Sequence, residues 1–239
     1  MIQSNEIAIV TAYDKSIAHY ADLCSFTKSE YCGRYGYKFF LDIKDEIPSG
    51  FIRISYILDL MNLYPDIKWF VWMDNDTMIM NYNISLQSVL LSKDPETQVG
   101  AVIGDGFDFI IGEDWNGINS GVFFIRNCDN SKRFLQAVLD HKHTEEQLKY
   151  PKWWTDSEQA AMTFNLDKIN TLVCHHSIFN GYIIGPRPDN DWRPCGLGPF
   201  NKDYQDVQFK LGHFILHFVG DYQDNKIRNI NKYLDLVIK

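Results

Sequence analysis

Asp74 and Asp76 follow directly after WFVWM, an apolar run at residues 69–73. A run of this length and composition favours a buried strand, so both carboxylates are expected at its carboxyl end. Asn75 and Asp76 tolerate a turn that would aim the two carboxylates at one site. Oxygen ligands on so short a frame suit a hard divalent cation, Mg²⁺ or Mn²⁺, whose coordination is completed by substrate phosphates. The spacing therefore predicts a metal site that binds a diphosphate.

Two alternatives compete with this metal site. In one, Asp74 caps a turn and Asp76 begins a helix at Thr77, because short aspartate-rich turns are common. In the other, the chain is a phosphatase of the haloacid dehalogenase type, which uses the first of two such aspartates as a nucleophile. That family has Thr or Val two places after the second aspartate, where this chain has Met78. It also carries the pair near its amino terminus, so the metal site is the favoured interpretation.

The segments before the aspartates alternate between strand and helix patterns. Strands are predicted at residues 6–13, 37–43 and 68–74, and helices at 16–35 and 51–65. This order implies right-handed crossovers and a parallel sheet covered by helices, in the α/β class. Ligands of such sheets bind at the carboxyl ends of the strands. The aspartate pair lies at one of these ends.

The second half of the chain is less regular in its pattern. Further strands are predicted at residues 97–104, 121–127 and 214–220, and further helices at 131–143 and 155–166. Residues 177–212 are rich in Gly, Pro, Asn and Asp without a period, which indicates a long loop around an active site. We expect one domain over residues 1–239, since single domains reach about 250 residues.

Charge and composition narrow the possible partners. The formal net charge of -8 argues against a broad electrostatic contact with nucleic acid. Five cysteines without a short-spaced pair indicate neither a disulfide framework nor a zinc ribbon. The amino terminus lacks the features of a secretory signal, and no stretch reaches the roughly 18 apolar residues of a membrane span. We expect a cytoplasmic protein of bacterial or viral origin, and the oligomeric state stays open.

Four segments occur in an order that resembles GT-A glycosyltransferases. They are WFVWMDNDTMI, GINSGVFFIRN, WWTDSEQAAM and LHFVGD. The chain is most similar to the family of fungal galactosyl- and mannosyltransferases and plant xyloglucan xylosyltransferases, and more distantly to the glycogenin-like family. The resemblance spans residues 6–225. It implies a Rossmann-like GT-A fold with a mostly parallel sheet and helices on both faces. It also implies sugar transfer from a nucleotide diphosphate, with a UDP-sugar favoured, to a glycan hydroxyl with retention at the anomeric carbon.

The resemblance assigns the metal ligands. Asp74 and Asp76 match the D-x-D pair that binds Mn²⁺, with Mg²⁺ as the other option, and His217 matches the histidine that completes the site. A neutral imidazole accepts a metal such as Mn²⁺. His213 lies four residues earlier on the same face of the predicted strand and is interpreted as structural. Without the aspartates, His217 would be interpreted as a core residue.

Residues around the donor sugar are also implied. Asn119 and Ser120 offer hydrogen bonds to sugar hydroxyls, although an ordinary glycine turn before a strand explains the same segment. Glu158 is the candidate nucleophile, and Gln159 would stabilise charge on the β face. Alternatively, Asp156 caps the helix and Gln159 completes a capping box.

The nucleotide is expected at the end of the first strand. Thr11, Ala12 and Tyr13 are candidate contacts, and Tyr13 could stack on the base. Asn75, inside the aspartate turn, is a further candidate contact of the donor.

Two basic residues are candidates for binding the diphosphate. Arg53 lies where the family tends to place a basic residue near the phosphates; the alternative is a solvated surface charge. Relatives commonly carry a Lys close behind the His-Phe-x-Gly segment, where this chain has Asp221 and Tyr222, so Lys226 is the candidate replacement. The rival function from another class is a nucleotide-sugar or glycan-binding protein with little or no turnover.

Overall fold

The computed structural model of the protein describes residues 2–46, 49–91, 106–114, 117–150, 152–175, 179–182, 209–219 and 223–239. Within these residues the strands are β1 (Ile7–Asp14), β2 (Lys38–Lys44), β3 (Trp69–Met73), β4 (Thr77–Ile79), β5 (Phe109–Asp114), β6 (Gly117–Arg126), β7 (Thr171–His175), β8 (Gly181–Tyr182) and β9 (Ile215–His217). The helices are α1 (Ala18–Tyr35), α2 (Ile52–Leu63), α3 (Leu86–Leu91), α4 (Asp129–Leu139), α5 (Lys152–Thr155), α6 (Glu158–Thr163) and α7 (Gln223–Leu234).

The central sheet of the described chain has six strands in the order β2-β1-β3-β6-β5-β7. β6 runs antiparallel to both of its neighbours, and the other strands share one direction. The predicted α/β class with a mostly parallel sheet is therefore confirmed. The first three predicted strands match β1, β2 and β3 closely, whereas β6 begins at Gly117, before the predicted start at residue 121.

β3 lies in the middle of this sheet, which explains its unbroken apolar sequence. Side chains alternate between the two faces of a strand. Trp69, Val71 and Met73 pack into one buried cluster, and Phe70 and Trp72 pack into another. Helices α1 and α3 contribute to the first cluster, and α2, α4 and α6 contribute to the second. The prediction of helices on both faces is thus confirmed.

A second, smaller sheet follows the aspartate turn. Its order is β4-β9-β8, with β4 antiparallel and β8 parallel to β9. Thr77 begins β4, so the alternative in which Asp76 begins a helix at Thr77 is wrong. Because β4 follows the turn after β3, its pairing with β9 brings β9 close to the carboxyl end of β3.

Several element boundaries differ from the sequence prediction. α1 begins at Ala18 and not at residue 16, although it ends at Tyr35 as predicted, before Gly36 in the left-handed conformation at φ 75°. α4 ends at Leu139, before the predicted end at residue 143, and the segment predicted as one helix at 155–166 is interrupted between α5 and α6.

Some predictions fall outside the described residues. The strand predicted at 97–104 does so entirely, and of the loop predicted at 177–212 the structure describes only 179–182 and 209–212. The single-domain prediction stays a prediction. Among the helices that the structure describes, none has the length and apolar character needed to cross a membrane.

Candidate metal and donor site

Asp74, Asp76 and His217 come together at the carboxyl end of β3. The pairing of β4 with β9 sets Thr77 opposite His217 and thereby carries the imidazole to the aspartate turn. His217 Nε2 lies 3.2 Å from Asp76 Oδ1 and 3.9 Å from Asp74 Oδ2. One ligand atom from each of the three residues lies within 4.8 Å of the others. Two carboxylates and an imidazole are a donor set that Mn²⁺ accepts, so these residues fit the predicted metal.

A chain of side-chain amides sets the orientation of His217. The amide nitrogen of Asn180 donates to Asn119 Oδ1 at 2.9 Å, so Asn180 Oδ1 is the atom that faces His217 Nδ1 at 2.8 Å. Nδ1 therefore donates its proton to Asn180, and Nε2 is directed at the aspartates. A metal-binding histidine is oriented in this way by the partner of its other nitrogen. Sequence reasoning missed Asn180, because it lies in a segment interpreted as loop.

His213 lies outside the metal site. β9 begins at Ile215, so His213 precedes the strand, and the predicted common strand face with His217 is wrong. Its Nδ1 accepts a hydrogen bond from the backbone nitrogen of Lys210 at 3.3 Å, which fits the predicted structural role.

The glycine at position 121 is required by the approach of His217. A Cβ atom on Gly121 would lie 2.7 Å from Nδ1 of His217 and closer still to Cε1. The structure shows that the close neighbour of Gly121 is the imidazole of a candidate metal ligand.

We expect Gly121→Ala to displace the imidazole and to lower the affinity for Mn²⁺ by about tenfold or more, on the scale of other changes behind a metal ligand. Titration of Mn²⁺ by electron paramagnetic resonance measures this affinity. The matched control is Gly33→Ala, because a Cβ on Gly33 meets nothing within 4 Å and lies inside α1. The control is expected to keep the metal affinity. Equal affinities in the two variants would contradict the role of Gly121.

The backbone of the aspartate turn is fixed by several donors. The carbonyl of Asp74 accepts hydrogen bonds from Lys28 Nζ at 2.9 Å, Thr77 Oγ1 at 2.8 Å and the Thr77 nitrogen at 3.1 Å. The carbonyl of Asp76 accepts from the nitrogen of Phe218 at 3.0 Å. Lys28 is wholly buried in α1, and burial lowers its pKa to about 8 despite the nearby aspartates. Sequence reasoning did not identify Lys28.

Arg53 connects the metal ligands with the donor-site acid. Its Nη1 lies 3.0 Å from Asp74 Oδ1 and 3.3 Å from Glu158 Oε1, and it donates to the carbonyl of Ser120 at 3.0 Å. The guanidinium also lies over the ring of Trp72, 5.5 Å from its centroid. The alternative of a solvated surface charge is wrong, because only 16% of the Arg53 side chain is exposed.

Ser120 binds both predicted catalytic residues. Its hydroxyl donates to Glu158 Oε1 at 2.8 Å, and its backbone nitrogen donates to Gln159 Oε1 at 3.0 Å. Glu158 and Gln159 are the first two residues of α6. Ser157 caps this helix by accepting a hydrogen bond from the nitrogen of Ala160. The predicted cap at Asp156 is therefore wrong, and Gln159 does not complete a capping box there.

The two aspartates differ in their electrostatic surroundings. Burial raises the pKa of Asp74 above its usual range, against the attraction of Arg53. Burial also opposes ionisation of Asp76, but His217 and Lys226 outweigh it and hold the pKa of Asp76 well below its usual range. Lys226 Nζ lies 2.7 Å from Asp76 Oδ2. Lys226 thus lies beside a candidate metal ligand, and its contact with the diphosphate stays a prediction.

A cleft of about 240 Å³ opens beside the aspartates. The residues that line it are Ala12, Asp14, Ile17, Ser49, Gly50, Ile52, Arg53, Trp72, Asp74 and Asn75. Of the three predicted residues of β1, only Ala12 is among them. Thr11 is fully buried, and Tyr13 is buried with its hydroxyl donating to Asp22, so stacking of Tyr13 on a base does not fit this arrangement.

The sequence as a whole matches a known family. The profile of the galactosyl transferase GMA12/MNN10 family matches residues 3–227. The protein belongs to this family. The resemblance inferred from the four motifs is thereby confirmed, and the protein is a glycosyltransferase. The family assignment excludes the dehalogenase-type phosphatase.

Two proteins of similar sequence come from Schizosaccharomyces pombe. The chain is 25% identical to a protein named "Probable alpha-1,2-galactosyltransferase gmh1", in an alignment that covers 99% of this chain and 75% of that protein. It is 34% identical to a protein named "Alpha-1,2-galactosyltransferase", over 48% of this chain and 39% of that protein.

A solved structure has the same fold. It is a glycosyltransferase involved in the glycosylation of the major capsid of PBCV-1, with a TM-score of 0.66 and 17% sequence identity. The superposition covers 95% of this chain and 98% of that chain. The predicted GT-A fold is confirmed. The catalytic and binding roles of the individual residues remain predictions.

Proposed function

We propose that the protein is a metal-dependent, retaining glycosyltransferase that moves a sugar from a UDP-sugar to a hydroxyl of a glycan. The observation that carries this proposal is the convergence of Asp74, Asp76 and His217 Nε2 at the carboxyl end of β3, where Asp74 also lines the cleft. The GMA12/MNN10 relatives above are named as α-1,2-galactosyltransferases, which makes UDP-galactose the first donor to test. An α-linked product formed from an α-linked donor keeps its anomeric configuration, which supports retention.

The charges around the cleft suit a departing diphosphate. Asp74, Asp76 and His217 would hold Mn²⁺ or Mg²⁺, which supplies positive charge against the diphosphate when bound. Lys226, which pairs with Asp76, adds a further positive charge. Arg53 lines the cleft and adds a positive charge beside Asp74. Such fixed charges stabilise a leaving group without reorganisation.

Glu158 is better suited to orient the donor sugar than to attack it. Its carboxylate is bound by Arg53 and Ser120, and the residue is 6% exposed. Both contacts fall on Oε1, and charge-assisted contacts of this kind stabilise the carboxylate and weaken it as a nucleophile. We therefore favour departure and attack on the same face of the sugar. Gln159, held by the nitrogen of Ser120, would stabilise positive charge on the sugar ring.

The proposal is tested by a thermal-shift panel of UDP-galactose, UDP-glucose, UDP-xylose and GDP-mannose, each with Mn²⁺ or EDTA. A ligand that binds only the native state raises the melting temperature, by about 5 °C or more at a hundredfold excess over Kd for a domain of this size. We expect a Mn²⁺-dependent shift with a UDP-sugar. A folded protein that shows no shift with any donor would contradict the donor site. Asp74 and Asp76 would then have only a structural role in the turn.

Turnover separates the enzyme from a binding protein of the same fold. We expect slow, Mn²⁺-dependent release of UDP from the donor in the absence of an acceptor, because water replaces the hydroxyl. A donor-dependent thermal shift without any release of UDP, with or without candidate glycans, would favour the rival binding function.

A further inference from the structure

Gly50 lies two residues before the start of α2 and against the carboxylate of Glu158. A Cβ atom at position 50 would lie 2.9 Å from Cδ of Glu158 and closer still to its Oε2. Gly50 is not among the described glycines with a positive φ, so its backbone conformation is open to other residues. The carboxylate of Glu158, and not the backbone, is therefore what leaves no space for a side chain here.

The two oxygens of the Glu158 carboxylate have different neighbours. Oε1 accepts a hydrogen bond from the Ser120 hydroxyl at 2.8 Å and lies 3.3 Å from Arg53 Nη1. Oε2 faces the backbone of Gly50. Because Glu158 is only 6% exposed and buried side chains are closely packed, its carboxylate has little free space into which it could move.

The start of α2 supplies two of these three neighbours. The carbonyl of Gly50 accepts a hydrogen bond from the backbone nitrogen of Arg53 at 3.2 Å, so both residues belong to one turn. Both residues also line the cleft beside the aspartates. This turn therefore connects the wall of the cleft with the position of the Glu158 carboxylate.

We propose that Gly50 is a positioning residue for sugar transfer. Its bare backbone limits the movement of Oε2 and thereby keeps Oε1 of Glu158 at Ser120 and Arg53. This inference rests on the proposed function, because it takes Glu158 as the residue that orients the donor sugar. Functional side chains must stay within about 0.5 Å of their productive geometry, so a displaced carboxylate would orient the sugar poorly.

Gly50→Ala should lower kcat for the Mn²⁺-dependent release of UDP from the donor by about tenfold or more. Non-bonded carbon atoms lie about 3.5 Å apart or more, so the new methyl group displaces the carboxylate by about 0.5 Å or more. The affinity for UDP, measured by thermal shift, should not change, because UDP lacks the sugar that Glu158 would orient. An unchanged kcat would overturn the inference, and so would an equal loss of affinity for UDP.

The wild-type protein and Gly33→Ala are the references for this measurement. A Cβ atom on Gly33 meets nothing within 4 Å, so Gly33→Ala should keep the wild-type kcat. A wild-type protein that neither binds a donor nor releases UDP would overturn the proposed function. An active wild-type protein with an equally active Gly50→Ala variant would overturn only the role of Gly50.

Glu158→Asp tests whether Gly50 acts through the carboxylate. Aspartate keeps the charge and shortens the side chain by one methylene, which leaves space for a methyl group at position 50. The variant with both changes should therefore have a kcat within about twofold of that of Glu158→Asp alone. A further tenfold loss in the double variant would show that Gly50 acts in another way, and would overturn the inference.

Denaturant unfolding tests the same contact without a ligand. Gly50→Ala should lower the midpoint of unfolding in the wild-type background. In the Glu158→Ala background it should leave the midpoint unchanged or raise it slightly, because the space is free and alanine restricts the unfolded chain. If Gly50→Ala alone does not fold, folding of the double variant would support the contact. An equal fall of the midpoint in both backgrounds, or a double variant that also fails to fold beside a folded Glu158→Ala, would overturn the inference.

Discussion

Asp76→Asn is expected to lower kcat/KM for sugar transfer by about 10³-fold or more in a protein that stays folded. The amide keeps the shape of the side chain but removes the anionic ligand that faces His217 Nε2 and Lys226. Loss of one hydrogen-bond donor to a developing oxyanion already costs about 10²–10³-fold in kcat in other enzymes. Here the change affects both the metal and Lys226, so the loss of kcat/KM should reach or exceed the upper end of that range.

Steady-state kinetics with the donor found in the thermal-shift panel measure this effect. Asp45→Asn is the matched control, because the Asp45 side chain is 90% exposed and pairs with Lys15 away from the cleft. The control should retain wild-type kinetics. Activity of Asp76→Asn within about tenfold of the wild type, at saturating Mn²⁺, would exclude Asp76 as a metal ligand needed for leaving-group departure.

The sequence predicts the aspartate turn because its signal is local. An unbroken apolar strand that ends in two carboxylates is visible within ten residues, and the central position of β3 accounts for the apolar run. His217 is different, since its approach to the aspartates depends on the pairing of β4 with β9. Periodicity does not reveal that pairing, so only the resemblance to a family identified His217.

The supporting residues were missed for a related reason. Asn180 acts through an amide chain across three separate segments, and no spacing in the sequence connects them. Lys28 did leave a signal: it follows Cys24 by four residues and precedes Tyr31 by three, so it lies on the buried stripe of α1. A lysine at a core position of an amphipathic helix indicates a buried charge with a partner. That partner, the Asp74 carbonyl, is visible only in the structure.

Arg53 is the residue whose loss should affect both stability and function. We expect Arg53→Met to lower the free energy of unfolding by about 3–5 kcal/mol, the usual cost of removing one partner from a buried ion pair. The change leaves the carboxylates of Asp74 and Glu158 buried without their shared cation. Because Arg53 also donates to the carbonyl of Ser120, the part of β6 around Ser120 should become more mobile in the variant.

Denaturant unfolding of Arg53→Met, Glu158→Gln and the double variant measures how much of the lost free energy of unfolding comes from the pair of Arg53 and Glu158. The double variant should be more stable than the sum of the two single changes predicts, because a neutral amide no longer needs the cation.

The loss of unfolding free energy in Arg53→Met should also shrink as the pH falls toward about 4, the range in which an unfolded aspartate titrates. Burial already raises the pKa of Asp74 in the folded protein, and without Arg53 it rises further. The folded state then binds a proton more tightly than the unfolded state, so acid stabilises the variant relative to the wild type. A deficit that does not change with pH would indicate that Arg53 acts through packing on Trp72 and not through the two carboxylates.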